Sequence, residues 1–224
     1  MLFRSGGAQV AADRAIRFEH AQVLQREWSA NQRGTVLLVP SLVRYSWFQF
    51  RSELVNPPAL ADVRVRRAIV HGMDKQSLND GIFDGQAIVI DTFLSPDVAY
   101  YADLDRALGK YPYDPRRSEQ LMTEAGFRRD QSGFFVGASG DRFSPVFWDE
   151  EGSQYEKEMS ILVDSWRRAG FDMQSFTLRA VQLRDPEFRA SFPSMNTTQG
   201  GGTTEDRLDK IGRASCRERV YVLV

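Results

Sequence analysis

Three features of the sequence predict an α/β fold. A strand, helix, strand succession runs from Phe143 to Leu178, a helix from Asp114 to Gly126 carries clear start and stop signals and one begun by Asp62 a cap and an apolar stripe, and short runs such as Thr35–Val39 and Tyr45–Phe50 have the aliphatic or aromatic content of strands.

In chain order, Asp13 to Trp28 has helical composition, with Ile16, Val23 and Leu24 on partly overlapping faces, and Asn31 to Gly34 supplies a turn. Thr35–Val39 reads as a short buried strand ended by Pro40, and Tyr45–Phe50 as a second, aromatic strand. Asp62 is placed to cap a helix whose Val65, Ala68, Ile69, Gly72 and Met73 form one apolar stripe, with Arg64, Arg66 and Arg67 pointing elsewhere. Asp74 caps a second helix that turns Leu78, Ile82 and Phe83 to the core and ends near Gly85. Ile88–Ile90 reads as extended and is followed by an irregular crossing through Pro96, Tyr100 and Tyr101. Asp114 as N-cap with Pro115 behind it starts the next helix, which Gly126 closes.

Phe134–Val136 and Phe143–Trp148 flank a glycine-bearing loop, Gly137–Asp141, and read as a hairpin. Ser153 is placed to cap the longest helix, where Tyr155, Met159, Leu162, Val163 and Trp166 recur at helical spacing before Gly170 ends it. Phe171–Leu178 resumes extended structure, completing a βαβ-like unit.

Two blocks carry a resemblance. Asp62-Val63-Arg64-Val65-Arg66-Arg67-Ala68 through Asp74-Lys75-Gln76-Ser77-Leu78 resembles the "D-x-R-V-R-x-A-x-x-x-x-x-D-(K/R)-x-x-L" signature of family 5 extracellular solute-binding proteins, the dipeptide, oligopeptide and nickel receptors of ABC importers. Tyr111-Pro112-Tyr113-Asp114-Pro115 through Glu124-Ala125-Gly126-Phe127 resembles that family's "Y-x-Y-D-P-x-x-A-x-x-L-L-x-E-A-G-(F/W)" helix, with Ser118 where the family usually has Ala. Tyr45–Phe50 and Asn56-Pro57-Pro58 match the aromatic strand and proline-bearing approach that precede the first block, so the resemblance spans roughly Gly34 to Met195.

The resemblance implies the type II periplasmic binding protein arrangement: two α/β lobes, a hinge and a solute held in the cleft. This chain would supply mainly one lobe, with residues 1–50 as a partial lobe and hinge approach and 51–210 as an incomplete C-terminal-type lobe. Function would be capture of a peptide-like or other small solute outside the cytoplasm and delivery to the membrane permease of an ABC transporter, without chemistry and without a cofactor. Membrane association would come only through the transporter or an N-terminal anchor. No secretory signal opens at Met1 and no apolar run reaches the roughly 20 residues that span a bilayer, so Met1 is expected not to be the native start.

The last stretch, Ile211–Val224, resembles the conceptual translation of a sequencing adapter and is expected to pack against nothing. Without it the chain has no cysteine, since Cys216 is the only one, and carries 26 basic and 29 acidic residues. A cysteine-free chain excludes a disulfide framework, a thiolate metal site and a cysteine nucleophile, and its mildly acidic balance argues against nucleic acid as partner.

Among candidate site residues, Trp148 at a strand end is the first expected solute contact, its alternative being core packing. Asn196, Thr197 and Thr198 beyond a strand-to-loop junction are the second. Peptide-binding relatives often carry a W-x-x-D-Y-x-x-P-like run here. Met195–Asp206 lacks it, so the role of holding a peptide amino terminus is not transferred to Glu205 or Asp206. Neither His20 nor His71 has a metal-ligand spacing, and His71 is expected to be solvated or lightly hydrogen-bonded. Ser139 reads as a turn residue. Asp149-Glu150-Glu151 offers the one enzymatic alternative, a fragment of an α/β hydrolase-like enzyme, against a solvated loop that precedes a helix.

Overall fold

A computed structural model describes residues 10, 16–31, 33–38, 42–92, 96, 98–201 and 222–223. The chain divides into two units, Met1–Val39 and Pro40–Val224. In the first, helix α1 (Phe18–Asn31) buries Ala21 and Leu24 and leaves Val23 exposed. Asn31 ends this helix instead of opening a turn. The strand predicted at Thr35–Val39 is not formed by Thr35–Leu38: these residues are irregular and Leu37 is 80% exposed. Extended backbone becomes a strand only where a neighbour satisfies its N–H and C=O groups, and no described strand pairs here. Asp13, Val39 and Pro40 lie outside the described residues.

The second unit begins with β1 (Leu42–Phe48), which lies before the expected boundary at residue 50 yet pairs inside this unit's sheet. A 3-10 turn (Pro58–Ala61) leads to α2 (Val63–His71), capped as predicted by the Asp62 carboxylate, which accepts from Arg64 N at 2.8 Å. Val65, Ala68, Ile69 and Met73 are fully buried. Arg66 leaves the stripe but is not solvated: it is 1% exposed and donates to the Leu60 and Ala61 carbonyls, both at 2.8 Å. Helix α3 (Lys75–Phe83) is capped by Asp74, which accepts from Ser77 N at 2.9 Å. Its Gly81 lies close against Ile161, whose Cδ1 a Cβ there would meet at 2.7 Å.

Ile88–Ile90 forms no strand, and only Ile90 is buried. The crossing that follows contains a helix absent from the sequence reading, α4 (Tyr101–Ala107). None of its residues is buried, so the apolar periodicity that betrays a helix is missing. Helix α5 (Pro115–Glu124) starts from Asp114, whose carboxylate accepts from Arg116 N and Arg117 N, and Gly126 follows it at φ 91°.

The predicted hairpin is replaced by a different pairing. Strands β2 (Arg128–Arg129) and β3 (Phe135–Val136) make a two-stranded sheet, and only an isolated bridge joins Val136 to Arg142. Ser139 sits in the intervening turn and donates to Asp141. Pro145 has no N–H to continue a ladder, and the chain leaves for β4 (Val146–Glu150) in the main sheet. Helix α6 (Ser153–Arg168) starts with Gly152 at its N-cap position and without a side-chain cap, so Ser153 is its first residue and not its cap. Gly170 ends it at φ 99°, a conformation that favours glycine.

Strand β5 (Gln174–Leu178) pairs in parallel with β4, completing the predicted βαβ unit. Two short helices the sequence reading lacks, α7 (Ala180–Leu183) and α8 (Pro186–Ala190), lead to β6 (Met195–Gly201). Val222–Leu223 forms β7 against β1 at Tyr45 and Ser46, giving the order β5-β4-β6-β1-β7. The tail expected to pack against nothing therefore makes at least this pairing. An edge strand offers a row of unpaired N–H and C=O groups to any extended segment, whatever its origin. Ile211–Tyr221 lie outside the described residues.

The main core lies between α2, α5, α6 and one face of the sheet, with Ile69, Met73, Phe147, Leu162, Trp166, Phe171 and Met195 all at 1% exposure or less. Ser118 Oγ donates to the Ala68 carbonyl at 2.7 Å across the α2–α5 contact. That carbonyl also accepts from Gly72 N, so losing the hydroxyl leaves no orphan. Ser118→Ala is expected to change stability by no more than about 1 kcal/mol in urea titrations; a loss several times larger would show that the hydroxyl has a second role.

Candidate functional site on the sheet

Strand alternation sorts the candidate residues onto two faces. Trp148 pairs with Phe176 on β5 and with Asn196 on β6, and Asn196 pairs with Trp47 on β1. One row across four strands therefore reads Phe176, Trp148, Asn196, Trp47. Thr198 lies two residues along β6 from Asn196, on the same face, opposite Tyr45. Asn196, Thr197 and Thr198 are thus not beyond a strand-to-loop junction as expected. They form the middle of a paired strand and are 5%, 2% and 9% exposed.

The structure brings Trp148, Asn196 and Thr198 together and separates Thr197. Thr197 faces the other way and donates to the Tyr45 carbonyl at 3.1 Å, tying β6 to β1. Trp148 is 7% exposed, its ring stacked on Phe188 at 5.3 Å and tilted against Phe176 at 4.6 Å. This packing is the alternative that its strand position left open. Trp47 is half-buried and tilted against Tyr45 at 5.2 Å. Among the described residues the Asn196 Oδ1 is buried without a hydrogen-bond partner. A buried amide oxygen in that state costs free energy until a donor reaches it.

The row lies near a topological switch point. From β4 the chain passes through α6 to β5 on one side, then returns through α7 and α8 to β6 on the other side of β4. In open α/β sheets the crevice outside the carboxyl ends of strands at such a point is where ligands bind. Strand β4 ends at Glu150, and β6 runs on past the exposed Gln199 to Gly201. Trp47 and Tyr45 escaped the sequence reading as site residues; the alternation of Val43, Tyr45 and Trp47 against Arg44, Ser46 and Phe48 was the available signal.

The acidic run divides between the two faces. Asp149 is not in a solvated loop: it lies within β4, is fully buried and accepts from Arg44 Nη2 at 3.0 Å. Glu150 points to the opposite face, and exposed Glu151 accepts from Ala180 N. Neighbours on a strand point to opposite faces, so Asp149 and Glu150 are not paired toward one cleft.

Asp149's real companion is Glu158 on α6. Arg44 Nε donates to both Glu158 oxygens at 3.1 and 3.0 Å, its Nη2 lies 2.9 Å from Glu158 Oε2, and its guanidinium sits 4.7 Å above the Tyr155 ring. Burial pushes the Asp149 carboxyl up to about 7, with the charge of Glu158 adding to the effect and Arg44 opposing it. Burial raises Glu158 as well, again opposed by Arg44. Burial works against the charged form of Arg44, but the two carboxylates outweigh it and hold its pKa above the usual value. His71 Nδ1 lies 2.8 Å from the Pro112 carbonyl. Among the described residues no three His, Cys, Asp or Glu side chains are placed to hold a metal ion, and no helix is long and apolar enough to cross a membrane.

Residues 2–207 match the model of the bacterial extracellular solute-binding proteins, family 5 Middle. The chain is 22% identical over 116 residues to the oligopeptide-binding protein AppA of Bacillus subtilis, covering 51% of this chain and 21% of that protein. It resembles NikA from Brucella suis, solved with Fe(III)-EDTA, at a TM-score of 0.67 and 20% identity over 88% of this chain and 38% of that one. It also resembles the oligopeptide-binding protein of Thermus thermophilus solved with a pentapeptide, at 0.61 and 22% over 72% and 28%. The chain therefore spans well under half the length of these relatives, and its α/β fold is that of one lobe of a type II periplasmic binding protein. With both motif blocks inside the matched span, this chain belongs to the family 5 bacterial extracellular solute-binding proteins.

Proposed function

We propose that the chain is part of the substrate-binding component of an ABC-type importer, working outside the cytoplasm and passing a small polar or peptide-like solute to a membrane permease without turning it over. The observation that carries this reading is the unpartnered Asn196 Oδ1 between two tryptophans at the switch point of a sheet whose family binds solutes. Asn196 and Thr198 supply polar contacts and half-buried Trp47 apolar surface, while Trp148 packs beneath Phe188 and Thr197 holds β1 to β6 behind them. The relatives' ligands, a pentapeptide in one and Fe(III)-EDTA in another, support a small solute without choosing one. Solute would stabilise the closed form of the whole receptor by contacts with both lobes, so one lobe alone should bind weakly.

Calorimetry on the full-length receptor with an oligopeptide mixture tests this. Asn196→Ala is expected to weaken binding by about 1 to 3 kcal/mol, as loss of a buried polar anchor does. Unchanged affinity in a folded variant would remove Asn196 from the site, and release of a cleaved product would overturn the receptor reading.

A further inference from the structure

The cluster of Arg44, Asp149 and Glu158 has no part in solute capture as proposed above, yet it is the most heavily buried group of charges described. The three residues are 7%, 0% and 2% exposed and come from three elements, β1, β4 and α6. One guanidinium faces two carboxylates, so full ionisation would leave a surplus negative charge inside the protein. Its hydrogen bonds run through Nε and Nη2, while Nη1 is buried with no partner among the described residues.

Among the described residues no cation other than Arg44 acts on the two carboxylates. The other charge acting on Glu158 is Glu150, which is itself acidic. The flanking strands present Thr177 opposite Asp149 and Gln199 opposite Arg44, with Ser46 and Thr197 between, and α6 adds the Tyr155 ring. Asp149's other contact is the Glu150 N–H at 2.8 Å. Removing an unbalanced charge by binding a proton is how a buried cluster of this kind settles.

We propose that the Arg44–Asp149–Glu158 cluster is a proton-binding site that holds one proton in the folded protein and releases it to water as the medium turns alkaline, loosening the β1–β4–α6 junction. This does not rest on the receptor reading. Asp149's folded pKa of about 7 lies above the ordinary value of 3.8. The folded state therefore binds more protons than the unfolded one between these values. Stability is then greatest at the acid end of that window, falls as pH rises through it and levels off above about 7. Asp62 and Asp130, whose carboxyls are held below their usual range, act only on the acid side of the same window.

The test is urea unfolding of the 224-residue chain, parent against Asp149→Asn, from about pH 4 to 9. Asparagine keeps an oxygen for Arg44 and the Glu150 N–H and removes the charge. The parent's unfolding constant is expected to rise by up to about tenfold per pH unit relative to the variant between pH 4 and 7. Parallel profiles would overturn the proposal. Should Asp149→Asn not fold, infrared spectra of the parent decide: a protonated-carboxyl band lost with a midpoint near neutrality supports the site. Its absence at about pH 5 overturns it.

Discussion

Trp166→Ala is expected to destabilise the chain by about 3 to 5 kcal/mol, the range for a large aromatic removed from a packed interior. Trp166 is fully buried, meets Phe147 edge-on at 5.0 Å, and donates from Nε1 to the Ile69 carbonyl at 2.8 Å. It thereby joins α6 to both α2 and the sheet, so the cavity opens at the meeting point of three elements. The Ile69 carbonyl keeps its bond from Gly72 N, so the cost comes mainly from lost packing. Trp166→Phe retains most of the ring and should cost far less. Urea titration checks both, and a Trp166→Ala midpoint close to the parent's would place the core elsewhere.

Arg44→Met is expected to cost about 3 to 5 kcal/mol near pH 8, where removing one partner of a buried ion cluster leaves the others uncompensated. Methionine fills much of the volume, so what is lost is mainly the charge and its hydrogen bonds. With the cation gone, Asp149 and Glu158 lose the charge and hydrogen bonds of Arg44 that favoured their ionised forms, and both take up protons more readily. The loss should therefore shrink as pH falls to about 5. Unfolding at the two pH values reads this directly: an equal loss at both would mean that Arg44 acts through packing and hydrogen bonds alone.

These two expectations differ in how far the sequence foretold them. Trp166 was legible because it recurs at helical spacing with Met159, Leu162 and Val163, and all four are buried. Arg44 was not, because Asp149 and Glu158 lie 105 and 114 residues away along the chain. No local pattern marks such a partnership. The same distinction applies to the proposed solute site. Trp148 and Asn196 could be singled out by residue type and position. Their adjacency, and the inclusion of Trp47, depend on which strands pair and in what register.

The failures have related causes. Thr35–Val39 has the composition of a strand, but Thr35–Leu38 lacks a neighbour, and pairing is a non-local property. Phe134–Trp148 looked like one hairpin because both runs are apolar and a glycine loop joins them. The structure sends the first run to a two-stranded sheet and the second to the main one. Helix α4 escaped because it buries nothing, and α7 and α8 because four and five residues are too few to show a period.

By itself the sequence determined the α/β class, the capped helices begun by Asp62, Asp74 and Asp114, the βαβ unit and the family. Caps, helical stripes and motif blocks are local, each set within a few turns of chain. The tertiary structure decided what lies side by side. It placed the acidic neighbours Asp149 and Glu150 on opposite faces, buried Arg66 and put the Asn-Thr-Thr run within the sheet. It also gathered Arg44, Asp149 and Glu158 into one buried cluster. A strand's two faces acquire their meanings only when the sheet has an inside and an outside, and that is settled by which distant segments pair.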